Sequence, residues 1–151
     1  MTYDLAIPFP SPWTTEEDRY EEVTGAEITH LQCHLPHKDG KSDAALIDIY
    51  VGDMPADTTA EDEAYANYAE IIGWEDEDDE ESPIAEWKFK NKTAYGFSGE
   101  CEDGSIMLLM CVEPRKGTLL ILSIVAADDD EVGKWAVYVE ENLQLKVDKS
   151  K

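Results

Sequence analysis

The sequence predicts an α+β protein in which a single antiparallel β-sheet is sandwiched between helices, a three-layer α/β/α arrangement. Three observations carry the prediction. Two runs, Ile106–Val112 (IMLLMCV) and Leu119–Ala126 (LLILSIVA), are apolar at nearly every position. Both are too short to cross a membrane and are bounded by turn residues, so they read as strands buried on both sides. Two segments, 59–72 and 129–143, repeat apolar residues at helical spacing behind acidic capping patterns. The remaining apolar residues alternate between hairpin signals, and there is no Gly-rich nucleotide-binding or Walker sequence, which argues against a doubly wound parallel fold.

Taken in order, Tyr3, Leu5, Ile7 and Phe9 alternate with Asp4, Ala6 and Pro8. This is the pattern of a half-buried strand, and Pro8 restricts it to an edge or a bulge. Ser11-Pro12-Trp13 stops it. Thr15 with Asp18 then predicts one or two helical turns ending before Gly25. Ala26 to Leu35 reads as a strand, Asp39-Gly40 as its turn, and Ala44 to Val51 as the returning strand. In that strand Ala45, Ile47, Ile49 and Val51 share one face, with Asp48 and Tyr50 on the other.

Thr58 and Glu61 form a capping-box pattern, and carboxylates from Asp57 to Asp62 lie at the positive end of the helix dipole. Ala64, Tyr65, Tyr68 and Ile72 give that helix one apolar face. Gly73 suits a left-handed C-cap, with Trp74 folding back on the last turn. Seven uninterrupted acids follow, Glu75-Asp76-Glu77-Asp78-Asp79-Glu80-Glu81. Their mutual repulsion makes 75–82 a mobile, solvated loop within a single domain spanning 1–151.

Ala85, Trp87 and Phe89 alternate before a turn at Asn91, and Thr93 to Glu102 returns. Asp103-Gly104 is the strongest hairpin signal in the chain. A two-residue loop there would set Glu102 opposite Ser105, and Tyr95, Phe97, Gly99 and Cys101 opposite Val112, Met110, Leu108 and Ile106. Asp128 with Glu131 repeats the capping box, and Val132, Trp135, Ala136, Val139 and Leu143 form the apolar face of the last helix.

This order of elements resembles the PsbP and Mog1-like superfamily, which includes bacterial DcrB-like proteins. The features that match are the N-terminal strand closed at Ser11-Pro12-Trp13, the apolar strand Leu119–Val125, the acid-capped helix Asp128–Asn142 and a short terminal strand Leu143–Val147. The resemblance covers nearly the whole chain as a pattern, without a specific motif. It implies a three-layer sandwich and a non-catalytic role, since members of that superfamily include extrinsic photosystem subunits, a binder of a small nuclear GTPase and secretion-associated chaperones. It transfers no functional residue to this chain.

Composition narrows the function independently. In 151 residues, 35 acidic against 12 basic side chains give a formal charge of −23. Such a chain repels polyanions, so neither nucleic acid nor an anionic membrane is an expected partner. The N-terminus shows no basic-then-apolar leader, and three cysteines make no disulfide framework, so the expected setting is the reducing cytoplasm.

Three groupings invite chemical readings. His30, Cys33, His34 and His37 are zinc-ligand types, and zinc needs its ligands on one centre at about 2.0–2.3 Å. On a strand, His30 and His34 lie about 13 Å apart and Cys33 points the other way, so no metal is expected. The acid run lacks the spaced ligands and glycine bend of a calcium loop. Cys101 and Cys111 are too far apart along the ladder to pair, and no nucleophile–base pair or phosphate loop is visible.

The expected function is therefore non-enzymatic, with no cofactor: an adaptor or chaperone-like interaction module that binds a basic or partly apolar protein surface. Trp13 and Trp74, beside turns, are the expected anchors, and Glu75, Asp76, Glu77 and Asp78 the expected attracting charges. The alternatives are an enzyme with an unrecognised active site and an acidic mimic of nucleic acid.

Overall fold

The computed structural model describes residues 2–9, 13–21, 27–36, 43–54, 57–71, 84–101 and 104–148. Among these residues nine strands and two helices run in the order β1 (Thr2–Ala6), β2 (Thr14–Glu21), β3 (Glu27–Pro36), β4 (Asp43–Asp53), α1 (Ala60–Ile71), β5 (Ala85–Phe89), β6 (Lys92–Glu100), β7 (Ile106–Val112), β8 (Thr118–Ala126), α2 (Asp129–Asn142) and β9 (Gln144–Asp148). Seven of the strands form one antiparallel sheet in the order β2-β3-β4-β8-β7-β6-β5, while β1 and β9 pair separately as a two-stranded ribbon. The large sheet is thus two meanders, β2-β3-β4 and β5-β6-β7-β8, joined where the last strand of each meets the other.

Sequence patterning explains each side of this sheet. Ala45, Ile47, Ile49 and Val51 of β4 are buried, as are Leu120, Leu122, Ile124 and Ala126 of β8, and they share one side with Met110 and Val112. This core side is closed by Val132, Trp135 and Val139 of α2 and by Leu5, Trp13 and Leu143 from the ribbon and its flanks. Residues of the other parity form the second side. There α1 places Ala60 and Ala64 against Phe97, Leu109, Cys111 and Leu119, with Tyr68 edge-on to Phe97 at 5.1 Å between ring centroids.

The three-layer α/β/α expectation is corrected by this arrangement. The described chain is mostly β, with a seven-stranded sheet, a second small sheet and only two helices, of 12 and 14 residues. Two such helices do not make two layers. Helix α2 shares the core side with the β1–β9 ribbon, and α1 covers only the part of its side built from β6, β7 and the start of β8. The remainder of that side carries His30, Gln32, His34, Asp48 and Tyr50, half-buried polar groups that need no apolar cover.

Two local expectations also change. Thr14–Glu21 is not a helix but the edge strand β2, exposed at every residue. Its pairing with β3, from Thr14 opposite His34 to Glu21 opposite Glu27, satisfies backbone groups along one edge. Acids on its outer surface discourage further strand addition. The hairpin between β6 and β7 is shifted by one residue from a two-residue loop. Cys101 N donates to Ser105 O at 2.7 Å and Gly104 N to Cys101 O at 2.9 Å, with Gly104 at φ 91°. Phe97 therefore pairs with Leu109, and Gly96 with Met110. Since neighbours on a strand face opposite ways, the shift sends Tyr95 and Phe97 to the α1 side and leaves Ala94 and Gly96 on the core side. A Cβ on Gly96 would come within 2.0 Å of the Leu109 carbonyl oxygen.

The helix starts follow the acidic patterns closely. Asp128 accepts the Glu131 N–H at 2.9 Å. At α1 the reciprocal box lies one residue later than expected: Thr59 Oγ1 accepts from Asp62 N–H at 3.1 Å, and Asp62 Oδ2 accepts from Thr59 N–H at 3.2 Å.

Candidate functional site

Where α1 stops covering its side of the sheet, a cleft of about 280 Å³ opens. Its floor is apolar, made by Ile28 of β3 with Leu119 and Ile121 of β8. Tyr20 from the edge strand and Tyr50 from β4 stand beside it, and Tyr20 is 46% exposed, a large aromatic surface presented to solvent. Along the other bank run Glu63, Asn67 and Glu70 of α1, spaced so that they share one stripe of the helix. Asp53 closes the end. Gly52 leaves room for Ile28, since a Cβ there would meet Ile28 Cδ1 at 2.4 Å.

The chemistry of this cleft is one-sided. Three carboxyl-bearing residues, Asp53, Glu63 and Glu70, surround an apolar floor, and no basic residue lines it among the described residues. Asn67 Nδ2 donates to the Glu63 carbonyl at 2.8 Å, which ties that side chain to its own helix. The cleft is suited to a guest with an apolar body and a positive end.

Next to it lies a polar ladder on the part of the sheet that α1 does not cover. His30 Nε2 is 2.8 Å from Asp48 Oδ1, Gln32 Nε2 donates to the same oxygen at 3.1 Å, and His34 Nε2 is 2.9 Å from Gln32 Oε1. The His30 ring stacks on Tyr50 with centroids 4.2 Å apart and planes 6° from parallel. Burial, with the nearby Asp48 carboxylate, raises the Tyr50 phenol above its ordinary value, so its hydroxyl stays neutral at the mouth of the cleft.

Of the expected site residues, Trp13 alone is among the described ones. Trp13 is not an exposed anchor: it is 9% exposed, stacked on Phe9 at 4.5 Å and edge-on to Trp135 at 4.7 Å. An indole offers a large area for burial, and this one packs against Trp135 of α2, where it closes the core side. Trp74, Glu75, Asp76, Glu77 and Asp78 lie outside the described residues. Of the zinc-type cluster, His37 also lies outside them, while Cys33 sits in the core on the opposite side of β3 from His30 and His34. Burial pushes the Cys33 and Cys111 thiols up to about 12, so neither supplies a thiolate near neutral pH.

Tyr20, Ile28, Asp53, Glu63 and Glu70 escaped the reading of the sequence. Tyr20 was hidden by the helical pattern assigned to its segment. Glu63 and Glu70 are ordinary solvent-facing acids until α1 is set beside β8. The available signal was the alternation in β4, which already put Asp48 and Tyr50 on a side distinct from its apolar residues. No protein-family model, no curated protein and no solved structure matches this chain.

Proposed function

We propose that this chain is a non-catalytic interaction module that receives a basic, partly apolar segment of a partner protein in the cleft between α1 and the uncovered sheet. The observation that carries this reading is the apolar floor of Ile28, Leu119 and Ile121 ringed by Asp53, Glu63 and Glu70. A lysine or arginine side chain has the matching form, an aliphatic stem that packs on apolar surface and a cationic head that stays at the wet rim. Tyr20 and Tyr50 supply aromatic faces on which such a head is also favoured. The net charge of −23 attracts a basic segment over a distance set by ionic strength, while the cleft confers retention.

The test uses a defined probe, a twelve-residue peptide of alternating lysine and leucine, against the same peptide with glutamate in place of lysine. The basic peptide is expected to shift the amide resonances of Tyr50, Gly52, Asn67 and Leu119, and the acidic one to shift none of them. Glu63→Gln with Glu70→Gln is expected to weaken the basic peptide about tenfold, the scale of two partly screened charge pairs. Shifts confined to other surfaces, or equal binding by the double variant, would overturn the assignment.

A further inference from the structure

The core side carries a second cleft, of about 360 Å³, with the opposite charge. Its walls are Phe89, Pro114, Leu120, Leu143 and Leu145, and two basic residues, Lys90 and Arg115, stand among them. Both come from hairpin turns at the same end of the sheet. Lys90 opens the two-residue turn between β5 and β6, where it and Asn91 have φ of 50° and 68°, and Arg115 lies in the turn between β7 and β8. Leu143 and Leu145 arrive from the end of α2 and the start of β9.

Two cations beside one apolar cleft are unusual in a chain with 12 basic and 35 acidic residues. Neither side chain forms an ion pair with a described carboxylate. Two acids beside these turns each hold a backbone N–H. Glu140 Oε2 accepts the Lys90 N–H at 2.9 Å, and Glu113 Oε2 accepts the Gly117 N–H at 2.8 Å. The negative end of α2 is nearby, but two of its last carbonyls are occupied, Val139 O by Leu143 N–H and Tyr138 O by Asn142 Nδ2. The ammonium and guanidinium can meet an anion at the turn side of the cleft, and the leucines an apolar tail.

We infer that this cleft binds a small amphiphile with a single carboxylate head and an aliphatic tail. Its volume falls in the range of about 300–1,000 Å³ typical of small-molecule sites, and a few polar groups set beside an apolar lining is how such sites fix orientation. Arg115 gives the head a planar pair of donors and Lys90 a compact charge. The site is separate from the acidic cleft, which lies on the other side of the sheet, so the two assignments stand or fall independently.

Decanoate and 1-decanol are the probes, titrated at neutral pH by calorimetry and followed in methyl spectra at Leu120, Leu143 and Leu145. Decanoate is expected to bind at least about tenfold more tightly than the alcohol, since charge-assisted hydrogen bonds are roughly twice as strong as neutral ones. Lys90→Gln with Arg115→Gln is expected to remove that preference while leaving decanol within about twofold. Glu63→Gln with Glu70→Gln is expected to leave decanoate binding unchanged. The inference is overturned if wild-type protein binds decanoate no more tightly than decanol, if the leucine methyls do not move, or if the preference survives loss of both cations. The first two comparisons use unaltered protein and do not depend on how a variant folds.

Discussion

Trp13 shows how the same residue chemistry serves opposite ends. An indole beside a turn suits an exposed anchor, and it suits equally the seal of a small core. Here Phe9, Trp13, Trp135 and Tyr138 form one aromatic group, and the Tyr138 hydroxyl donates to the Pro8 carbonyl. Trp135 Nε1 in turn reaches Glu131 Oε2 at 3.2 Å, so its polar edge is satisfied within α2. Trp13→Ala would leave a cavity where the chain after β1 meets α2. It is expected to cost about 3–5 kcal/mol in chemical denaturation, the range for a buried aromatic. A loss below about 1 kcal/mol would return Trp13 to the surface role. Gly96 is the converse case, a residue needed because it adds nothing: any side chain there collides with the β7 backbone.

At the level of elements, caps and edges decide more than propensity does. Helix α1 has a modest apolar stripe, and among its described side chains Ala60, Ala64 and the partly buried Tyr68 hold it to the sheet. Its reciprocal Thr59–Asp62 box therefore matters to whether the first turn forms. Thr59→Ala is expected to destabilise by about 1 kcal/mol, with faster amide exchange confined to the start of α1. Uniform exchange along the chain would place the loss elsewhere. Strand β2 makes the same point from the other direction. Its Thr15–Asp18 spacing fits a helix cap, but a lone acidic turn buries nothing, whereas pairing with β3 from residue 14 to residue 21 gains a full ladder. Arg19 on its outward surface pairs with Asp4, linking the edge of the sheet to the β1–β9 ribbon. The strand also carries Tyr20 to the cleft, so a mistaken element conceals part of a site.

For the molecule as a whole, charge is the dominant fact. A formal charge of −23 on 151 residues raises the free energy of the compact state through self-repulsion. The Arg19–Asp4 pair, exposed on both sides, does little to offset it. Raising NaCl from about 10 to about 150 mM shortens the screening length from roughly 30 to 8 Å, so the thermal midpoint is expected to rise over that interval. A midpoint that falls with salt would mean that attractive pairs, not repulsion, govern stability. If the acidic cleft receives a basic partner as proposed, the same screening slows that capture, so stability and association rate are expected to move in opposite directions with salt. The only statement the fold makes about membranes is that no described helix is long and apolar enough to cross one.

Local periodicity by itself determined the alternation in β4, the apolar strands β7 and β8, the turn at Asn91 and the acid-capped helix α2. These follow from residues within one turn or one hairpin of each other, where side-chain spacing and capping act directly. Tertiary structure decided the rest. The β6–β7 register turned on one residue in the loop before Ser105, and that residue reversed which side Phe97 and Gly96 face. The three-layer expectation assumed that strongly apolar strands need helices over their whole length. Instead the half-buried Ser123 of β8 opposes Asp48 of β4, and no described helix lies over that part of the sheet. Both clefts are assembled from distant segments: Tyr20, Tyr50, Glu63 and Ile121 at one, Lys90, Arg115 and Leu145 at the other. No window of sequence contains such a site, because its chemistry exists only once packing has brought those segments side by side.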